Sequence, residues 1–284
     1  MDYKLLAENI VKKAIKLGAD EAEVYLENKR EFNLRVLNGN VENIKQATSK
    51  GLGLTIFKEK RQGFSYTSDF SGQSLETFIK RAVQLSLAAD PKPWNGLPDF
   101  TDQKEKIKDL DLYDPSIPGL PNEKKLKMAK EIERIALTSD KRISKSSGAS
   151  FRDIETEILM VNSKGISRSA KKTGISLGIG VIAGEGNNMQ SGGWGSYKRH
   201  FKDMETIETM AKKAVERAVA KLGAKPVETQ KVPVIIDRYT AGRFWGGIIR
   251  SMSGESAHKK TTFLCDYLDK PIAAKLVTII DDPT

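Results

Sequence analysis

The sequence has few of the residues that carry most active-site chemistry: among 284 positions there is one cysteine, Cys265, and there are two histidines, His200 and His258. A lone cysteine excludes an internal disulfide and suits a reducing compartment. Long apolar runs are missing too, and nothing approaches the roughly 18 consecutive apolar residues of a membrane helix. The first residues, MDYKLLAENIVKK, bring in an acid at position 2, unlike the basic start and unbroken apolar stretch of a secretory signal. These absences point to the cytoplasm and away from a membrane. No nucleophile elbow, paired-cysteine motif or nucleotide fingerprint is present. Charge of one sign is also in short supply. The net charge of +10 is the difference between 47 basic and 37 acidic residues, which permits nucleic-acid contact without requiring it. The clusters KEKR (58–61) and YKRH (197–200) fall where turns are expected and read as solvated.

What is present is periodicity. Tyr3, Leu6, Ile10, Ala14 and Leu17 recur at helical spacing before Gly18. Short alternating runs follow at 22–27, 31–40, 51–57 and 64–70, with Asn38-Gly39 as a hairpin turn and KEKRQG as the next. A helix then carries Leu75, Phe78, Ile79, Ala82 and Val83 on one face. Prolines between 90 and 122 forbid a continuous helix or a central strand.

The same order then returns: a helix starting at Asn122, a strand pair turning at Asn162-Ser163, an alternation through Ile175, Leu177, Ile179 and Val181, and a closing helix. IETMAKKAV (207–215) can be laid on LETFIKRAV (75–83). The pattern predicts an α+β fold built from a duplicated unit of one helix, four antiparallel strands and a second helix, each sheet covered by helices on one face and open on the other. The expected divisions are a first repeat at 1–95, a Pro-rich connector at 96–121, a second repeat at 122–223, and the beginning of an incomplete C-terminal α/β domain at 230–284. That last segment predicts a buried strand at 232–237 and an amphipathic helix with Ala241, Phe244, Trp245, Ile248, Ile249 and Met252 in one stripe.

Two stretches invite chemistry. RSMSGESAHKKTTFLCDYL (250–268) gathers Glu255, His258 and Cys265. A catalytic zinc site needs three protein ligands, and Gly254 and the Thr-Thr pair break the helix that would bring Cys265 to the face of His258. His258 is therefore a weak metal candidate. GEGNNMQSGGWGSYKRH (184–200) lacks the ending of a phosphate loop. It reads as a long hairpin tip, or as a peptide groove in which Gly192 and Gly193 allow close backbone approach while Trp194 and Tyr197 form apolar walls.

Residues 37–71, 161–184 and 233–284 resemble successive segments of the TldD/PmbA family, known variously as modulators of DNA gyrase and as peptidases. The resemblance covers nearly the whole chain and implies a sequence that continues past Thr284. It also implies a two-subunit cytoplasmic metalloprotease whose TldD-type subunit holds zinc on a His-Glu-x-x-x-His helix that the PmbA (TldE)-type subunit lacks. Laid on that motif, Ser253 falls at the first His, Gly254 at the Glu and His258 at the second His. The resemblance thus implies a PmbA-type accessory subunit with no catalytic or cofactor-binding residues of its own, zinc residing in a TldD-type partner. The partner set would be that subunit as a heterodimer, or a second copy when alone, and an unfolded peptide substrate. A gyrase-associated or nucleic-acid-binding regulator is the alternative, which a contiguous basic patch on one sheet face would favour.

Overall fold

Ala22, Val24, Leu26, Phe32, Leu34 and Val36 are all even-numbered and all buried. One face of a single 17-residue strand, β1 (Glu21–Leu37), therefore carries both of the first two alternating runs. The polar Asn28 and Arg30 between them keep the phase of the alternation, so they mark a passage between two cores and not a turn. In the computed structural model, which describes residues 2–99 and 109–282, β1 is followed by β2 (Asn40–Lys58) and β3 (Arg61–Thr67). Helices α1 (Tyr3–Lys16) and α2 (Gly72–Ala88) flank this meander. The second copy repeats the order as α3 (Asn122–Thr138), β4 (Ile143–Asn162), β5 (Ser167–Ala183), β6 (Gln190–Lys198) and α4 (Ile207–Val219). The fold is α+β, and each unit holds three strands where four were expected.

The two sheets are also one. β1 pairs antiparallel with β4 from Glu23↔Asn162 to Val36↔Ala149, giving a six-stranded antiparallel sheet in the order β3-β2-β1-β4-β5-β6. All four helices lie on one face. Ile10, Ala14, Phe78 and Ile79 cover Val24, Leu26, Leu52, Leu54 and Ile56, and Leu159 and Val161 of β4 join that core. Ile132, Ala136, Met210 and Ala214 cover Phe151, Ile175, Leu177 and Ile179, and Phe32, Leu34 and Val36 of β1 join that one. Each central strand thus serves both cores. Separating the repeats would expose these five donated side chains, a loss of roughly 10 kcal/mol, comparable to the net stability of a whole domain. The repeats consequently fold as one unit, Met1–Ala224.

A charged layer lies between the cores. Lys125 of α3 places its Nζ 2.6 Å from Asp153 Oδ2, with both side chains almost wholly buried, and 4.2 Å from the centroid of the Phe32 ring. Arg30 Nη2 donates to the other oxygen, Oδ1, at 3.0 Å. The returning connector is pinned beside this layer: Tyr113 Oη donates to Glu155 at 2.9 Å, and the Thr173 amide donates to the Leu112 carbonyl at 2.9 Å.

Residues Lys225–Thr284 form a second unit. It contains α5 (Arg238–Ser251), α6 (Gly254–His258) and a short turn at Cys265–Tyr267. The strand expected at 232–237 does not form, and Ile235 is 98% exposed. A strand needs a hydrogen-bonded neighbour, and among the described residues of this unit there is none. Helix α5 forms as the periodicity predicts, with Phe244, Ile249 and Met252 of its apolar stripe about half exposed.

Candidate functional site

The stretch read as a weak metal candidate is not one continuous helix. Helix α5 stops at Ser251, and Ser253 is the residue preceding α6, without a side-chain capping bond. Gly254 opens α6 and His258 closes it, exposed to solvent. Glu255 is ion-paired with Lys259. Cys265 lies on the following turn, its Sγ 3.1 Å from the Thr262 carbonyl. Among the described residues no group of three His, Cys, Asp or Glu side chains could hold a metal ion. A serine hydroxyl and a glycine cannot supply an imidazole and a carboxylate, so these residues do not fit a catalytic zinc.

The glycine-rich stretch is an edge strand, β6, and its turn is confined to Gly184–Met189. Strand alternation then decides what Gly192, Gly193, Trp194 and Tyr197 can do. Gly192 and Trp194 lie on the helix-covered face. Trp194 Nε1 donates to Glu205 at 3.2 Å, with Lys213 Nζ 4.7 Å and the Arg217 guanidinium 5.4 Å from the ring centroid. Lys213 also bonds Glu205 at 2.7 Å, and this bond leads the causes that hold the Glu205 carboxyl below its ordinary value. Gly192 lies under α4, where a Cβ would meet the Ala214 carbonyl oxygen at 2.6 Å. Gly193 and Tyr197 occupy the opposite, open face, and Tyr197 folds over Gly174, where a Cβ would meet its hydroxyl at 2.6 Å. The four residues therefore do not line one groove. Two secure a helix, and two remain available on the open face.

That open face carries Tyr25, Phe64 and Tyr66, which are 40%, 54% and 81% exposed. Its charges are mixed. Glu31 gathers Lys29 at 3.0 Å, Arg152 at 3.3 Å and Lys45 at 3.8 Å, and the bond from Lys29 is the main reason its carboxyl titrates below the ordinary range. Further along the face, Glu27, Lys29, Ile154, Thr156, Lys172, Thr173, Tyr197 and Arg199 border a cavity of about 280 Å³. Of these, Tyr197 stood out in the sequence as a groove candidate and Arg199 only as part of the basic cluster YKRH. The rest converge through strand register, which pairs Thr156 with Lys29 on one side and Lys172 on the other.

A duplicated α+β unit sharing one sheet, followed by a helical segment without a metal-ligand set among its described residues, defines the class. Residues 22–86 match PmbA/TldA metallopeptidase domain 1, residues 115–222 its central domain and residues 229–284 its C-terminal domain. The chain belongs to this PmbA/TldD family. It is 28% identical over 281 residues to the metalloprotease PmbA of Escherichia coli O157:H7, covering 98% of this chain and 62% of that one. A crystal structure from Bacteroides thetaiotaomicron, named for a modulator of DNA gyrase, superposes with a TM-score of 0.86 at 28% identity, over 96% of this chain and 62% of the other. TldE from Thermococcus kodakarensis shares the fold, with a TM-score of 0.77 at 17% identity over 92% and 58% of the two chains. The chain thus spans about three fifths of the length of these relatives. No helix among the described residues is long and apolar enough to cross a membrane.

Proposed function

We propose that this chain is the accessory, PmbA (TldE)-type subunit of a cytoplasmic two-subunit metalloprotease that acts on unfolded or linear peptides. Zinc and the catalytic groups belong to a TldD-type partner. What supports this reading is the resemblance at the motif: within a family whose matched domains are described as metallopeptidase, the resemblance lays Ser253 and Gly254 where zinc chemistry would need a histidine and a glutamate. The break between α5 and α6 at the same place supports it. Residues 229–284 match the family's C-terminal domain, and Gly193 and Tyr197 of the open face are candidate contacts for a partner or an extended peptide. In the absence of a TldD-type subunit a second copy of the chain would take its place.

A gyrase-associated or nucleic-acid-binding role is less well supported. Among the described residues of the open face, Lys29, Lys45 and Arg152 surround Glu31, so the basic residues there are interspersed with acid and do not form the extended stripe that phosphate-backbone binding calls for. Metal analysis of the full-length protein, purified without a metal-chelating tag, tests the accessory reading. Substoichiometric zinc, unchanged in His258→Ala, is the expected result; one zinc per chain lost in that variant would overturn it.

A further inference from the structure

The cavity on the open face has the makings of a binding site, and of its lining the accessory role draws only on Tyr197. Lys29, Thr156 and Lys172 stand side by side across β1, β4 and β5. Arg199, just beyond the end of β6, brings its guanidinium to the same place, with Nη1 donating to the Thr173 carbonyl at 3.0 Å and to the Tyr197 hydroxyl at 3.3 Å. Those bonds fix the guanidinium before any ligand arrives and leave its Nε and Nη2 groups without a hydrogen-bond partner among the described residues. Gly174 supplies the room in which Tyr197 can lie flat against the sheet.

Two features set this cluster apart from a solvated charged surface. Thr156 is 3% exposed although it lies on the face without helices, and its hydroxyl makes no hydrogen bond among the described residues while bordering the cavity. Lys172 likewise has no ion-pair or hydrogen-bond partner among the described residues, whereas the neighbouring Lys171 pairs with Glu157. Lys29, on the other side of Thr156, pairs with Glu31 at 3.0 Å, so Lys172 is the cation of the two that a bound anion would supply with a partner. The lining holds three cations and three hydroxyls, that of Thr173 being engaged by the Asp114 amide and the Arg199 carbonyl, against the single carboxylate of Glu27, which accepts from Tyr25 at 3.3 Å.

We propose that this pocket binds a compact oxyanion, the chemistry shared by a carboxylate and a phosphate, between Lys29, Lys172 and Arg199 with the Thr156 hydroxyl as its floor. Ile154 closes one side, and the small volume excludes bulky ligands. The inference is independent of any peptidase role, because it concerns binding alone.

Amide chemical-shift titration of the whole chain at constant ionic strength tests it, with three probes: inorganic phosphate, acetyl-triglycine with a free carboxylate, and the same peptide amidated. Saturable shifts at Thr156, Lys172 and Tyr197 with phosphate or the free acid, and none with the amide, are the expected result. Whichever of the two anions binds more tightly names the source. Lys172→Gln and Arg199→Gln should each weaken binding at least fivefold, while Lys45→Gln, a charge loss elsewhere on the same face, should leave it unchanged. Linear, unsaturated shifts with both anions would overturn the proposal. So would equal losses in Lys172→Gln and Lys45→Gln, which would mark an adventitious ion only.

Discussion

A Cβ placed on Gly192 would lie 2.2 Å from the backbone nitrogen of Ala218, so β6 and α4 touch main chain to main chain. The contact occurs twice. Gly63 of β3 meets α2 in the same way, 2.3 Å from the Ala82 carbonyl oxygen and 2.5 Å from the Ser86 nitrogen. In both copies small residues four apart on the closing helix face a glycine on the edge strand. Because backbone atoms cannot swing aside as a side chain can, Gly192→Ala and Gly63→Ala should each lower stability by about 3 kcal/mol. Gly51→Ala, with nothing within 4 Å of the added Cβ, should be neutral or slightly stabilising. Urea midpoints at unchanged slope would check all three.

Glu133 ties the tip of the first hairpin to the second repeat. Its buried carboxylate accepts from the amides of Asn38 at 3.0 Å and Gly39 at 2.7 Å, and from the Ser146 hydroxyl. Asn38 and Gly39 have φ of +52° and +75°, the paired left-handed geometry of a tight turn whose outward amides need an acceptor. Glu133→Ala should cost about 3 kcal/mol and Glu133→Gln about 2 kcal/mol, since charge-assisted bonds are lost while buried donors stay behind. Denaturant unfolding measures both, and a loss below about 0.5 kcal/mol in each would contradict the clamp.

The buried pair of Lys125 and Asp153 should behave as a coupled unit. Removing the amine in Lys125→Met leaves Asp153 with Arg30 as its remaining cation and should cost about 3–5 kcal/mol. The double change Lys125→Met with Asp153→Asn should be less destabilising than the sum of the single changes by more than about 1 kcal/mol. Strict additivity in that cycle would remove the pair from the account of how the two cores are kept in register.

Much of this fold is legible in the sequence, because burial imposes period and phase. The duplication shows in the order of runs and in the match of 75–83 with 207–215. Even the fusion of 22–27 with 31–40 was encoded, in the unbroken even-numbered phase from Ala22 to Val36, but polar Asn28 and Arg30 look like a turn until a second core is known to lie beyond them. The joining of the sheets through β1 and β4 is a contact between residues far apart in sequence, and local pattern does not carry it. The same holds for the cavity, where Lys29, Thr156, Lys172 and Arg199 come from four places. Gly192 and Trp194 drew notice as unusual residues, and their reason is helix packing. The reading of Ser253 and Gly254 as replacements for a histidine and a glutamate comes from the family resemblance and not from local pattern.

At low pH a local pair at the start of β4 should lose its contribution. Arg142 donates to Asp140 through its guanidinium and its amide, and the side-chain bond leads in lowering the Asp140 carboxyl from 3.8 to about 2. The folded value lies below the unfolded one, so this contribution is complete above about pH 4 and is lost as pH falls towards 2. Asp140→Asn should flatten the stability profile in that window and leave the profile near neutrality parallel to that of the unmodified chain. A series of denaturant curves from pH 2 to 7 would show an unchanged acid slope if the pair had no role.

The central claim is that chemistry and structure are divided between two related subunits. The direct measurement is cleavage of an unfolded peptide by the full-length protein alone, by its TldD-type relative alone, and by an equimolar mixture, with zinc content determined for each. The account predicts no cleavage by this protein alone, zinc in the relative only, and activity that appears or rises at least tenfold in the mixture. Full activity from the relative alone, unchanged on mixing, would contradict it.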